Sequence, residues 1–519
     1  MNYITKLNEY NRAGFPILQT VSHEEGRLVQ EVIKAHEASV AGYVKVWDHV
    51  TGVTSYTNGQ GVKSEGIKNP KELFVLIESL AARGTACIFI LKDFHPFFEN
   101  PSIVRHLRNL LNDCKAAGIT LVLVSPVSKI PIELMRDVQL LEYALPGGES
   151  LQQIVQKIQK DTENNNNVVL PLVVPMGDIV DAMKGSTASE AENITALALS
   201  RHKGFDKAFV KTAFSETIQN LKKSSLLTYL EPDVDFTNIG GLDGLKKWFG
   251  QRAKAFEPAA REYGLPAPKG VLLFGVAGCG KTLIAKAVSK EFNIPLFQLD
   301  IGSLFGSLVG STEENFRKII STVDSLGRCI VFIDEIEKAF NRDAVSGRGD
   351  TGTSSRAFGS FLTWLSERQS QAFVIGTSNN FTILPVEFMR KGRFDELFWI
   401  DLPNFDERKS ILSVVIKKFK RDPRDFEIPQ VSKMMEGFSG AEISEVVSAA
   451  LFTAYCDDGR EPTTEDLKSA VVDTIPQSET NGADLKKMRE QAAGKLRVAT
   501  SEGRASSFEK AMRKLNLEE

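Results

Sequence analysis

Apolar positions along this chain fall in short blocks separated by amphipathic stretches. The pattern is clearest from Val271. Val271-Leu272-Leu273-Phe274 is wholly apolar, a glycine-rich turn follows, and then a stripe runs through Leu283, Ile284, Ala287 and Val288. That change of period predicts strand, turn and helix. Leu296–Leu299 reads as a second strand, and Phe316, Ile319, Ile320 and Val323 fall at helical spacing. Cys329–Ile333, Phe373–Gly376 and Phe398–Asp401 read as three further strands. Strands alternating with helices predict a parallel, five-stranded sheet covered on both faces. From Asn404 onward the strands are expected to stop. Ile411, Val414, Val415 and Phe419 mark one helix, and Ser439-Gly440-Ala441-Glu442 is a capping box that opens another.

The first half repeats this plan more faintly. Phe15–Val21 reads as a strand, Arg27–Ala35 as a helix and Tyr43–Trp47 as a strand. Cys87–Asp93 and Ile119–Ser125 are buried-strand runs flanking a helix around Ile103–Leu111. After Leu145 the pattern is helical, with a second capping box at Thr187-Ala188-Ser189-Glu190 and an asparagine run, Asn164–Asn167, expected as a loop. The expected organisation is a degenerate α/β NTPase-like domain at 1–145, a helical lid-like region at 146–228, and a large P-loop α/β domain at 229–403. A helical lid at 404–480 and a helical tail at 481–519 complete it.

Composition narrows the class. The 519 residues are 42% hydrophobic and 25% charged, enough for several packed cores, and 63 basic against 66 acidic residues leave a net charge of −3. A molecule so balanced has no electrostatic reason to coat nucleic acid or anionic lipid. Its five scattered cysteines form no CxxC pair, which fits a reducing compartment, and no apolar run approaches the ~20 residues of a membrane span. A cytoplasmic protein is expected.

Chemistry concentrates after Phe274. Gly275-Val276-Ala277-Gly278-Cys279-Gly280-Lys281-Thr282 fits G-x-x-x-x-G-K-[ST]. Glycines let backbone N–H groups wrap a triphosphate, the following helix adds its N-terminal dipole, Lys281 supplies a point charge, and Thr282 offers a hydroxyl to Mg²⁺. Further on, Cys329–Ile333 ends in Asp334-Glu335. Adjacent acids at a strand's C-terminal end suit holding Mg²⁺ (Asp334) and activating the attacking water (Glu335). The corresponding stretch of the first half, Ser22-His23-Glu24-Glu25-Gly26-Arg27, has one glycine and two carboxylates and would repel triphosphate. The first unit is therefore expected to be catalytically dead.

With these residues in hand, 229–480 resembles an AAA+ ATPase module of the type found in katanin-like and FtsH-like remodelling machines. The resemblance implies that Ile239 and Gly240, in Phe236-Thr237-Asn238-Ile239-Gly240-Gly241-Leu242, line the adenine site. It implies that Asn379 is the sensor that positions the hydrolytic water, and that Gly440-Ala441 is the lid contact to nucleotide. Arg390 and Arg393, in Met389–Asp395, would reach a neighbouring subunit's γ-phosphate. Such arginines imply a homo-oligomer, by family habit a hexameric ring. Leu91–Phe97, Arg105–Arg108, Phe361–Glu367 and Lys391–Glu396 extend the likeness to the hypothetical chloroplast AAA-domain reading-frame family of algal plastids and cyanobacteria, which would put a plastid-encoded copy in the stroma.

Where threading relatives carry an aromatic in the pore loop, this chain has Leu308-Val309-Gly310; Phe305 is either a substitute or a core residue. The leading expectation is an ATP-hydrolysing ring that uses ATP and Mg²⁺ to remodel a protein client. An ATP-gated scaffold with slow turnover is the alternative, and a nucleic-acid motor is disfavoured by the charge.

Overall fold

The computed structural model describes residues 3–37, 43–63, 66–223, 227–301, 311–338, 351–368, 370–380, 383–390 and 392–500. The pore-loop residues Phe305, Leu308, Val309 and Gly310 lie outside them. The chain divides into two compact units, Met1–Thr217 and Ile218–Glu519.

The first unit is built on a seven-stranded sheet of β1 (Ile17–Val21), β2 (Val44–Asp48), β3 (Gly52–Thr57), β4 (Gln60–Lys63), β5 (Cys87–Lys92), β6 (Ile119–Ser125) and β7 (Val138–Leu140), in the order β4-β3-β2-β5-β6-β1-β7. β2, β5, β6, β1 and β7 run parallel, and β3 and β4 add an antiparallel hairpin at one edge. Alternate residues of each central strand feed different cores. Phe89, Leu91, Leu121 and Leu123 pack with the helices Pro70–Ala82 and Pro101–Ala117, while Ile88, Ile90, Val122 and Val124 pack with Tyr3–Arg12 and Glu25–Ala35. A sheet covered on both faces explains why these strands read as unbroken apolar runs. Four helices follow: Gly148–Asn166, Met176–Met183, Ala188–His202 and Lys207–Lys223. Asn164–Asn167 is not a loop. It is the last helical turn, closed by Asn167 in the left-handed conformation at φ 50°, a role asparagine fills readily at a helix end.

The second unit has its own sheet of β8 (Leu227–Leu230), β9 (Gly270–Gly275), β10 (Leu296–Leu299), β11 (Ile330–Ile333), β12 (Phe373–Ser378), β13 (Glu396–Ile400) and β14 (Arg497–Val498), ordered β14-β13-β9-β12-β11-β10-β8. The five expected parallel strands form its centre. The count is seven because β8 pairs antiparallel with β10 at one edge and β14 pairs parallel with β13 at the other. Strands therefore do not end at Asn404. After the helix Gly482–Ala492 the chain returns to the sheet, with Leu245 N–H donating to Ala499 O and Ala499 N–H to Trp399 O. Too short to show periodicity, β14 is specified by its partner. The lid helices are Phe405–Lys418, Ile428–Met434, Gly440–Cys456 and Thr464–Asp473, packed around Leu412, Ile416, Val431, Ile443, Val446 and Leu467. Among the described residues no helix is long and apolar enough to cross a membrane.

Candidate functional site

β9 is buried along its whole length, and its last residue, Gly275, passes so close to β13 that a Cβ there would stand 2.0 Å from Ile400 O. The next five residues turn back into the helix Lys281–Phe292, with Gly278 at φ 77° and Gly280 at φ 81°. Gly278 is doubly required. It occupies the left-handed region, and a Cβ would lie 3.0 Å from both Ala441 Cβ and Ser439 Oγ. That closeness arises because Ala441 N–H donates to Gly278 O at 3.0 Å, so the lid helix Gly440–Cys456 begins directly on the loop. Its start is fixed by a reciprocal capping box between Ser439 and Glu442, and Glu442 also accepts from Gln477 N–H.

Lys281 is buried and donates from Nζ to Gly275 O at 3.0 Å and Val276 O at 2.8 Å, with burial holding its ammonium below the usual lysine range. Thr282 lies exposed on the first helical turn. Burial pushes the Cys279 thiol up to about 12.

Because β12 lies between β9 and β11, residues that end three strands meet at one edge. Asp334 and Glu335 follow β11, and Asn379 follows β12. Asn379 Nδ2 donates to Glu335 Oε1 at 3.0 Å, and Lys338 pairs with the other Glu335 oxygen. Glu335 sits at φ 49°, a conformation that costs a residue with a Cβ about 1–2 kcal/mol. Its N–H is met by Thr377 Oγ at 2.9 Å, and the same hydroxyl donates to Asp334 Oδ1 at 2.5 Å. One buried threonine thus orients both acids. Glu337, also buried, accepts from Asn379 N–H at 2.9 Å through Oε1, while its Oε2 has no hydrogen-bond partner among the described residues. Neither Thr377 nor Glu337 stands out in the sequence, since nothing local tells a buried strand threonine from a positioning one.

Ile239 and Gly240 sit where the second unit's lid meets its sheet layer. Ile239, Phe236, Leu242 and Phe249 line an apolar depression with Ile284 of the phosphate-loop helix. A Cβ on Gly240 would come within 2.5 Å of Ile411 N in the first lid helix. Glu407 of that helix accepts from Leu242 N–H at 3.1 Å and from Asn404 N–H at 3.0 Å, fastening the loop to the lid; sequence reasoning missed it for want of any local signal.

Arg390 and Arg393 do not join this constellation. Asp395 Oδ2 accepts from Lys269 N–H and Gly270 N–H, which anchors the arginine segment at the start of β9, and the phosphate loop leaves its far end. Six strand residues separate the two ends by roughly 17 Å. Arg390 is exposed and lies 3.7 Å from Glu387, and Arg393 donates to Glu387 O.

The donor set fits a nucleotide: glycine-only turns, a helix N-terminus, a buried lysine, and a hydroxyl and a carboxylate as hard oxygen donors. Comparison with known proteins agrees. The model of the ATPase family associated with various cellular activities (AAA) matches residues 271–402, and that of the SpoVK-like AAA ATPase, N-terminal domain, matches residues 3–143. The chain is similar to the AAA domain-containing protein ycf46 of Trieres chinensis, 34% identical over 94% of this chain and 97% of that protein. The ycf46 protein of Guillardia theta is 33% identical over 96% and 97%. Over 48% of this chain and 31% of the other, it is 33% identical to cell division control protein 48 homolog C of Arabidopsis thaliana.

Proposed function

The chain belongs to the ycf46 family of AAA-domain proteins and is an ATPase; we propose that it hydrolyses ATP at the β9–β12–β11 edge, in a ring whose subunits complete one another's sites, and uses the cycle to remodel a protein partner. The observation that carries the site assignment is the 3.0 Å contact of Asn379 with Glu335, on acids already oriented by Thr377.

In this reading the N–H groups of 276–281 and the Lys281 ammonium hold the phosphates, and Ile239 and Gly240 border the base. Thr282 and Asp334 would hold Mg²⁺, which when bound screens phosphate charge. Glu335 takes the proton of the attacking water, and Asn379 keeps its carboxylate from turning away. The Gly278–Ala441 hydrogen bond gives loss of the γ-phosphate a direct route to the lid. Arg390 and Arg393, one strand length from their own loop, suit a neighbour's site, where a guanidinium offsets charge developing in the transition state. A ring of six head-to-tail copies satisfies every site.

Complementation tests the reading. Lys281→Ala subunits keep their arginines and lack a site, whereas Arg390→Ala/Arg393→Ala subunits keep a site and lack arginines. Neither should turn over alone, their mixture should regain activity, and wild-type rate per subunit should fall on dilution. An inactive mixture together with a rate flat across dilution overturns the shared site. Acceleration by DNA and not by protein overturns the choice of partner.

A further inference from the structure

The two units share one plan. In order of appearance, the parallel strands of the first are β1, β2, β5, β6 and β7, and those of the second are β9, β10, β11, β12 and β13. Across each sheet they stand as second-third-fourth-first-fifth, read in opposite directions in the two orders given above. In each lid the third helix opens on a capping box, at Thr187/Glu190 and at Ser439/Glu442. Register aligns the two sheets residue by residue. Ser125 pairs with Val21 and Ser378 with Phe274; Val124 pairs with Lys92, and Thr377 is level with Asp334 one step beyond the Ile333–Gly376 pair. Lys92-Asp93 therefore occupies the place of Asp334-Glu335, and Asp93 shares the left-handed backbone of Glu335, at φ 46° against 49°.

On this alignment the first unit's site is inverted in charge at two positions, while Asp93 keeps the acid of Glu335. Its first helical residue after β1 is Glu25, where the second unit has Lys281, and Lys92 stands where the second has Asp334. These two meet, with Lys92 Nζ 3.1 Å from Glu25 Oε1. Val124 replaces Thr377 and has no hydroxyl to offer. The loop is shorter as well, with residues 22–24 joining strand to helix where 276–280 do in the second unit.

The neighbouring carboxylate ties loop to lid helix with a side chain, where the second unit uses the backbone carbonyl of Gly278 to Ala441 N–H. Glu24 is 7% exposed, and both its oxygens are engaged. Oε1 accepts from Ala188 N–H, the first residue of the lid helix, at 2.6 Å, and Oε2 pairs with Arg27 at 2.6 Å. Arg27 in turn donates to Tyr143 Oη and Ala144 O, in the segment that leads from β7 into the lid, and lies 4.4 Å above the Tyr143 ring. An anion at a helix N-terminus, fully paired and out of water, is what a bound phosphate would supply.

We propose that the first unit is a nucleotide module whose ligand is its own side chain: Glu24 takes the place of phosphate, bridging the loop after β1 to the lid helix Ala188–His202 and holding that lid closed in every nucleotide state. Motion driven by ATP is then confined to the second unit. The inference does not depend on which residues of the second unit carry out hydrolysis.

Amide hydrogen exchange on the full chain tests it. In the wild-type protein, ATP should leave exchange across 188–202 unchanged. Glu24→Ala should speed exchange over the first turn, 188–191, at least tenfold, with no recovery on adding ATP, and Glu24→Gln, which keeps an acceptor for Ala188, should fall between. Nucleotide should bind at one equivalent per chain. Protection of 188–202 by ATP in the wild type, unchanged exchange in Glu24→Ala, or a second equivalent of nucleotide bound per chain would each overturn the proposal. The wild-type arms need no variant to fold. Failure of ATP to protect 440–456 would instead count against the second unit's proposed site.

Discussion

Asn379 reaches across from the end of β12 to place its amide 3.0 Å from Glu335 Oε1, while its own N–H is held by Glu337. Glu335 is thereby fixed from two sides, by a side-chain amide at its carboxylate and by Thr377 at its N–H. Asn379→Ala should leave ATP affinity unchanged and lower turnover about a hundredfold, the scale of a misdirected general base. Nucleotide titration beside phosphate release checks this, and undiminished turnover would remove Asn379 from the mechanism.

Lysine and glutamate should separate binding from chemistry. Lys281→Ala removes the buried charge proposed to hold the phosphates and is expected to weaken ATP binding by tenfold or more, about 1.4 kcal/mol. Glu335→Gln keeps that charge, so affinity should hold while hydrolysis falls by about 10²–10⁴. Equilibrium binding of a fluorescent ATP analogue distinguishes the two; equal loss of affinity in both would contradict the assignment.

Thr377→Val keeps shape and removes the hydroxyl shared by Asp334 and Glu335. A buried N–H left unpaired costs about 1–3 kcal/mol, so thermal unfolding should shift down. Turnover should fall more than affinity, because the acids are then free to turn. Thr377→Ser should restore both; a serine variant as impaired as the valine would leave the residue a packing role only.

Gly240→Ala would drive a Cβ into the backbone of Ile411. Since backbone cannot rotate aside, the lid helix must shift, at about 1–3 kcal/mol. A lower melting temperature and weaker nucleotide binding are expected, and a melting curve superimposable on wild type would show that the loop and lid are less tightly packed than this.

Cysteine reactivity should follow burial. With its thiol pushed up to about 12, Cys279 carries a far smaller thiolate fraction at pH 8 than an unperturbed thiol. Cys456 is exposed. A short iodoacetamide pulse read by mass spectrometry should label Cys456 first and leave Cys279 intact, and early labelling of Cys279 would mean the loop opens readily.

The phosphate loop, the acid pair after β11 and the helix faces were legible in the sequence because each is local. A glycine demanded by backbone torsion, or an apolar stripe at helical spacing, is visible within a few residues. The parallel sheet followed from strands alternating with helices. Tertiary structure alone decided which strands are neighbours. Parallel strands are joined by crossovers, so sequence order does not give spatial order, and only the insertion of β12 between β9 and β11 brings Thr377 and Asn379 to Asp334 and Glu335. The same holds for Glu407 and Leu242, 165 positions apart, and for Glu24 and Ala188, 164 apart. The sequence marked Glu24 as hostile to phosphate; the lid helix that receives its carboxylate is supplied by packing, and a short edge strand such as β14 has no pattern of its own until β13 offers it hydrogen bonds.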